Sequence, residues 1–296
     1  MNRLLISAAH KSSGKTTLTI GLCAALRARG LSVQPFKKGP DFIDPMWLSA
    51  AAGRDCHNLD FYLMGREEIQ DTFIARAQGA DISLIEGNKG LYDGLSLDGS
   101  NSNAALANLL QTPVVLVIDA RGMTRGIAPL ILGYQAFDRD IRIAGVILNQ
   151  LGGSRHEAKL RAVIEHYTDV QVLGAVHHDD RMTIVERHLG LMPSNEAAGV
   201  RAKIDSIAAM VATNVDLDRL MDVAAQAPRL PATGANIKRA PSFPKPDIRI
   251  GIARDAAFAF YYPGDMEALR AAGAELVPFD TLTDSTLPAV DALFIG

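Results

Sequence analysis

The feature that most constrains this chain is the turn Ala8-Ala9-His10-Lys11-Ser12-Ser13-Gly14-Lys15-Thr16-Thr17, placed directly after the apolar run Leu4-Leu5-Ile6. An apolar strand, a Gly/Ser turn and Gly-Lys-Thr opening a helix form the layout of a phosphate-binding P-loop. In that layout backbone N–H groups of the turn and of the helix start point at phosphates, and the lysine adds positive charge on the outer ones. Ser12, Ser13, Gly14, Lys15, Thr16 and Thr17 are therefore the expected nucleotide contacts, with the Thr16 hydroxyl on Mg²⁺. The common pattern G-x-x-x-x-G-K-[ST] carries glycine where this chain has Ala9, a departure that the sequence does not explain.

The rest of the chain alternates strand and helix patterns. Ser32 to Phe36, Asp81 to Glu86, Pro113 to Asp119, Ile143 to Asn149 and Val170 to Val176 read as strands. The unbroken run Val114-Val115-Leu116-Val117-Ile118 is what a parallel strand covered on both faces looks like. Helical patterns cover Lys15 to Arg29, Arg66 to Gln78, Ser102 to Leu110, Thr124 to Phe137, Ser154 to Tyr167 and Gly199 to Ala225. Alternation of this kind, with a P-loop at the first turn, predicts a doubly wound α/β domain around a parallel sheet.

In such sheets ligands bind at the carboxyl ends of strands. Three strand ends stand out. The second strand runs into Lys37-Lys38-Gly39-Pro40-Asp41-Phe42-Ile43-Asp44-Pro45, read here as a functional charged loop. Glu86 ends its strand in the place of a Walker-B acid, within reach of a Mg²⁺ beside the P-loop, and leads into a glycine-rich stretch to Gly94. Asn149, at the tip of its strand, resembles the base-recognising asparagine of other P-loop proteins; Asp119 reads as a site contact or a helix cap. His166, His177, His178 and His188 match no zinc spacing and read as surface or hydrogen-bonded histidines.

Composition bounds the remaining choices. A chain of 296 residues with net charge −3 and few aromatic residues gives no reason to propose a nucleic-acid surface. Its apolar runs are strand-length, so no membrane span is expected. The opening residues do not read as a signal peptide, and Cys23 and Cys56 make neither a disulfide framework nor a four-cysteine metal site. A cytoplasmic location is the expectation. The prolines between Gln226 and Asp247 read as a linker. Beyond it, Ile248 to Ala253, a helix from Gly264 to Ala272, Glu275 to Phe279 and Ala292 to Ile295 read as the opening of a second α/β domain. About fifty residues of βαβ do not bury a core alone, so the chain is expected to be a fragment. The expected organisation is thus residues 1–225, a linker at 226–247, and an incomplete domain at 248–296.

Taken in order, several stretches resemble the cobyrinate a,c-diamide synthases. They are the P-loop, Lys38 to Pro45, His57-Asn58-Leu59-Asp60, Glu86-Gly87 with Leu91-Tyr92-Asp93-Gly94, Gly145 to Asn149, Arg187 to Leu191, and Ala253 to Tyr262. The resemblance implies a dethiobiotin-synthetase-like domain followed by a class I glutamine amidotransferase domain. It implies ATP-dependent amidation of a tetrapyrrole carboxylate through an acyl phosphate, with ammonia from glutamine. It also implies Thr16, Asp41 and Glu86 around Mg²⁺, Asp44 and Asp93 at substrate or in catalysis, and a homodimer. Two anions must meet in such a reaction, so cations are required; Lys15, Lys37 and Lys38 are the candidates. The family's glutaminase cysteine and histidine are not matched within the chain, since Cys23 and Cys56 lie in the first domain. Asn88-Lys89, Gly99 to Asn103 and Met123 to Gly126 resemble a branch that amidates sirohaem, the alternative substrate. A switch ATPase of the partitioning type shares the fold but carries a lysine at the place of His10. A silent nucleotide-binding module is the remaining reading.

Overall fold

The computed structural model describes residues 1–184, 186–187, 190–196, 199–230 and 246–296, with the side chains of residues 186, 187 and 190 left aside. Seven parallel strands form the main sheet, in the order β3-β2-β4-β1-β5-β6-β7. They are β1 (Arg3–Ala8), β2 (Val33–Lys38), β3 (His57–Leu59), β4 (Ile82–Glu86), β5 (Val114–Asp119), β6 (Ile143–Leu151) and β7 (Val172–His177). β1 is central and every residue of β1, β4 and β5 is buried, which accounts for their near-continuous apolar sequences.

Helices cover both faces. One core layer packs α1 (Lys15–Ala28), α2 (Ile43–Ala52), α7 (Val200–Asn214) and α8 (Leu217–Ala225) on the sheet through Leu18, Leu22, Trp47, Ile207 and Leu220. The other packs α3 (Arg66–Ala77), α4 (Asn103–Leu109), α5 (Ile127–Phe137) and α6 (Ser154–Tyr167) through Phe73, Leu106, Ile131 and Leu160. The doubly wound parallel architecture expected from the alternation is the one observed. Cys23 and Cys56 are both buried and free.

Two elements depart from the sequence reading. The charged stretch after β2 is not a loop throughout: the two lysines finish the strand, and α2 begins at Ile43. Pro45 falls in the first turn of that helix, where its missing N–H removes no intrahelical bond, so it marks a start rather than a break. The single helix expected from Gly199 to Ala225 is two. Val215 leaves the helix to bridge Gly174 of β7, and Asp216 donates its N–H to Leu173 O at 2.8 Å while its side chain caps α8 at Arg219 N.

A separate antiparallel pair joins β8 (Glu186–Arg187) and β9 (Gly190–Leu191). After residue 245 a separate three-stranded parallel sheet, in the order β11-β10-β12, joins β10 (Ile248–Ala253), β11 (Ala274–Phe279) and β12 (Ala292–Phe294), with α9 (Pro263–Ala271) as crossover. Most of the proline-rich stretch between the two sheets, residues 231–245, lies outside the described residues, as does His188. No helix among the described residues is long and apolar enough to cross a membrane.

Candidate nucleotide site

The turn after β1 is built by two left-handed residues, Ser12 (φ 63°) and Gly14 (φ 85°). Gly14 has a second reason to lack a side chain: Asn149 lies against it, its Nδ2 donating to Ser13 O at 2.9 Å. Ser13 Oγ donates to His10 O at 2.8 Å. Ala9, by contrast, is not among the residues with positive φ, so its methyl group costs nothing there. Its carbonyl accepts from the Tyr134 hydroxyl, and a Cβ on Gly90 would stand 2.8 Å from that same oxygen. At this contact the close approach is borne by Gly90 of the neighbouring loop, and the backbone of Ala9 does not itself require a glycine.

α1 starts at Lys15 with no side-chain cap and no acidic residue in its first turn. Its first turn-closing bond runs from Leu18 N to Gly14 O at 3.0 Å, so the N–H groups of Lys15, Thr16 and Thr17 have no acceptor within the helix. Lys15 itself is 8% exposed. Its ammonium makes no hydrogen bond or ion pair among the described residues. Burial lowers its pKa, against the opposing pull of the Glu86 carboxylate. An uncapped helix start and an unpartnered buried ammonium in one turn are complementary to an anion and to little else.

A carboxylate corner faces this cradle. Lys37 Nζ lies 2.5 Å from Asp44 Oδ2, 3.1 Å from Glu86 Oε2 and 3.7 Å from Asp41 Oδ2. Sheet register sets up the contact with Glu86, because Lys37 and Glu86 are partners on β2 and β4. Thr16 Oγ1 stands 2.5 Å from Glu86 Oε1 and 3.2 Å from Asp44 Oδ2. Its single proton can serve only one of them at a time. Glu86 Oε2 is fully buried and makes no hydrogen bond of normal geometry, so its contact with Lys37 is an ion pair without directional bonding. Asp41 Oδ1 accepts from Ile43 N and Asp44 N at 2.9 and 3.1 Å and so holds the start of α2.

Burial alone would lower the Lys37 pKa, but Glu86, Asp44 and Asp41 together outweigh it and push it up. Burial, reinforced by Asp44, pushes the carboxyls of Glu86 and Asp41 up as well. Three carboxylates around one contacting ammonium leave excess negative charge beside a threonine hydroxyl. Among the described residues no three of His, Cys, Asp and Glu converge into a self-sufficient metal cage. The corner instead fits a cation that takes one or two protein oxygens and completes its shell with phosphate and water, the habit of Mg²⁺.

The strand pleat separates the two lysines that the sequence places side by side. Lys37 turns to the P-loop. Lys38 Nζ donates to Asn101 O at 2.6 Å and Asn88 Oδ1 at 3.2 Å, tying down the loop after β4. That loop returns to the P-loop through Leu91 N, which bonds Ala8 O at 2.9 Å. Asp93, exposed, folds its carboxylate back onto Gly90 N at 2.9 Å. Asn103, at the start of α4 and fully buried, clamps the loop: its amide donates to Gly90 O at 2.8 Å and to Asn88 O, and accepts from Asn88 N at 3.1 Å. Asn103 and Tyr134 hold site backbone; Asn103 closes the stretch Gly99 to Asn103 noted in the sequence without a role, Tyr134 stands in no noted motif, and only their contacts show what they do.

Asp119 is paired with Arg121, whose Nη2 lies 2.6 Å from Oδ2, and it also accepts Arg121 N at 3.0 Å. His177 pairs with Glu157 at 2.9 Å, and His178 with Gln150 at 2.6 Å; the His166 ring packs edge-on to Tyr167.

Fold and site together define a P-loop nucleotide-binding protein of the doubly wound α/β class. Residues 5–191 match the CobQ/CobB/MinD/ParA nucleotide binding domain, and the chain belongs to that family. The cobyrinate a,c-diamide synthase of Magnetococcus marinus is 49% identical over 297 residues, covering 99% of this chain and 64% of that protein. The enzyme of the same name from Methanosarcina acetivorans is 46% identical over 313 residues, covering 99% of this chain and 61% of that protein. The chain thus spans less than two thirds of the length of these curated relatives. Neither relative favours the sirohaem branch or a partitioning ATPase. Among solved structures, chloroplast FtsY from Physcomitrella patens is similar at a TM-score of 0.43 and 16% identity, over 69% of this chain and 64% of that one; so loose a likeness carries no argument.

Proposed function

We propose that this chain is the ATP-using part of a cobyrinate a,c-diamide synthase, in which a peripheral carboxylate of a tetrapyrrole is phosphorylated and then converted to an amide by ammonia. The observation that carries the reading is the unpartnered, buried Lys15 in an uncapped helix start beside an over-charged carboxylate corner. In this reading residues 1–225 form the synthetase domain, 226–247 the linker and 248–296 the opening of the glutamine-handling domain.

Lys15 and the N–H groups that open α1 would bind the outer phosphates of ATP. Mg²⁺, held by Thr16 with Glu86 and Asp41 near it, would neutralise phosphate charge. Lys37 would keep Asp44, Glu86 and Asp41 together, so that the corner stays formed when a second anion arrives. Asp44 and Asp93, on either side of the P-loop, are the groups to orient the acceptor carboxylate, and Asn149 keeps the turn closed from beneath through Ser13. A carboxylate oxygen is a poor leaving group and a phosphate a good one, so the acyl phosphate is what lets ammonia attack. Burial pushes the thiols of Cys23 and Cys56 up, away from the thiolate form, so neither suits glutamine hydrolysis. Ammonia would come to this chain from outside.

Incubation of the chain with ATP, Mg²⁺, ammonium and cobyrinate should convert one or two carboxyl groups to amides, read by mass spectrometry. Lys15→Ala and Glu86→Ala should each abolish product. A folded, nucleotide-binding chain that makes no product from cobyrinate, hydrogenobyrinate or sirohaem would overturn the proposal.

A further inference from the structure

The segment after β10 reaches back over the carboxylate corner. The Phe42 ring stacks on Tyr262, with centroids 4.2 Å apart and planes at 23°, and on Phe260, at 5.6 Å and 9°. Among the described residues the two parts of the chain also meet through a few directional contacts. Asn195 Nδ2 donates to Asp255 O at 2.8 Å, and Arg76 pairs with Glu267. Between them lies a cavity of about 500 Å³ lined from both sides, by Met46 and Asn58 on one and by Arg254 and Met266 on the other. The ring stack is a direct apolar fastening between the two parts at this place.

Its position gives it a consequence. Phe42 is the residue between Asp41 and the first turn of α2, and as N-cap it offers that helix no side-chain hydrogen bond. Asp41 holds Ile43 N and Asp44 N, and Asp44 meets both Lys37 and Thr16. Further along the same helix, Trp47 is anchored by its Nε1 bond to Met192 O at 2.8 Å. The start of α2 is thus held from inside the first domain by Asp41, by Asp44 and, one turn further on, by Trp47, and from the other side by aromatic rings from beyond residue 245. Fixing Phe42 fixes the backbone that carries both aspartates.

We propose that Tyr262 and Phe260 are positioning residues for the carboxylate corner: by stacking on Phe42 they hold the start of α2, and with it Asp41 and Asp44, in place for a cation beside Thr16. The cation part rests on the reading of the corner given under the proposed function; the hold on α2 does not.

The test separates the two. In the ligand-free chain, Tyr262→Ala should speed amide hydrogen exchange across residues 43–52 by about three- to tenfold, the range one aromatic pair supports. Tyr262→Phe, which keeps the ring, should exchange like the unmodified chain, and β5 should be unchanged in both. With ATP present, Tyr262→Ala should raise the Mg²⁺ concentration for half-saturation by a similar factor, while ATP affinity in EDTA stays the same. Unchanged exchange over residues 43–52 would overturn the proposal, as would acceleration spread equally to β5, which signals general loosening. If the unmodified chain bound no ATP, the nucleotide reading would fall and the exchange result would still decide the stack.

Discussion

Two buried lysines, both beside the start of α1, have opposite surroundings. Lys37, on β2, is ringed by Asp41, Asp44 and Glu86, and its charge is held more firmly than in water. Lys15, in the P-loop, is nearly as buried and touches none of them. A buried charge without a partner is expensive, and a protein keeps one only where an incoming group repays the desolvation. In the proposed site the contrast separates their roles: Lys37 would maintain the site, and Lys15 would receive what enters it. His57, next door on β3, shows the third solution. Burial first, then Arg76 and Arg54, lowers its pKa to about 4, so it stays neutral near pH 7.

The comparison can be broken at each base. The largest effect belongs to Lys37→Met, which leaves three carboxylates facing one another. Removing one partner of a buried ion pair typically costs about 3–5 kcal/mol, so the urea midpoint should fall steeply; Mg²⁺ should restore part of it. Unchanged stability would mean that the corner does not depend on Lys37.

The His57 effect is somewhat smaller and appears only in acid. The unfolded chain takes up a proton near pH 6.5 that the folded chain refuses until about pH 4. The unfolded state therefore binds more protons between these values, and stability falls as pH drops through that window, by up to about 3 kcal/mol in all. His57→Leu should flatten that part of the stability–pH curve. A slope that persists in the variant would assign it to other groups.

Much of this was legible in the chain itself. The P-loop, the alternation of strands and helices and the buried β5 follow from pattern, because a strand covered on both faces has no other way to read, whereas the short edge strand β3 was not read from the sequence. Glu86 at a strand end was equally visible. The split of Lys37 from Lys38 had a signal in the two-residue period of a strand, available once β2 is extended through both. Helix α2 was hidden by Pro45, whose place in a first turn looks like a break until the helix start is known. The clamping role of Asn103 on Asn88 and Gly90 had no signal beyond its place in the stretch Gly99 to Asn103, and Tyr134 had none at all: it acts on Ala9 far away in sequence, through a contact that only the assembled sheet creates.

The central claim, that Lys15 is held ready for the phosphates of a nucleotide, is tested most directly by calorimetric titration of Mg·ATP into the chain and into Lys15→Ala. The unmodified chain should bind, and the variant should bind about a hundredfold more weakly, the loss of charge-assisted hydrogen bonds worth about 2.7 kcal/mol. Its urea midpoint should be unchanged or slightly higher, because the alanine removes a buried charge that had no partner. Equal affinity in the two proteins, or no binding by a folded unmodified chain, would contradict the account.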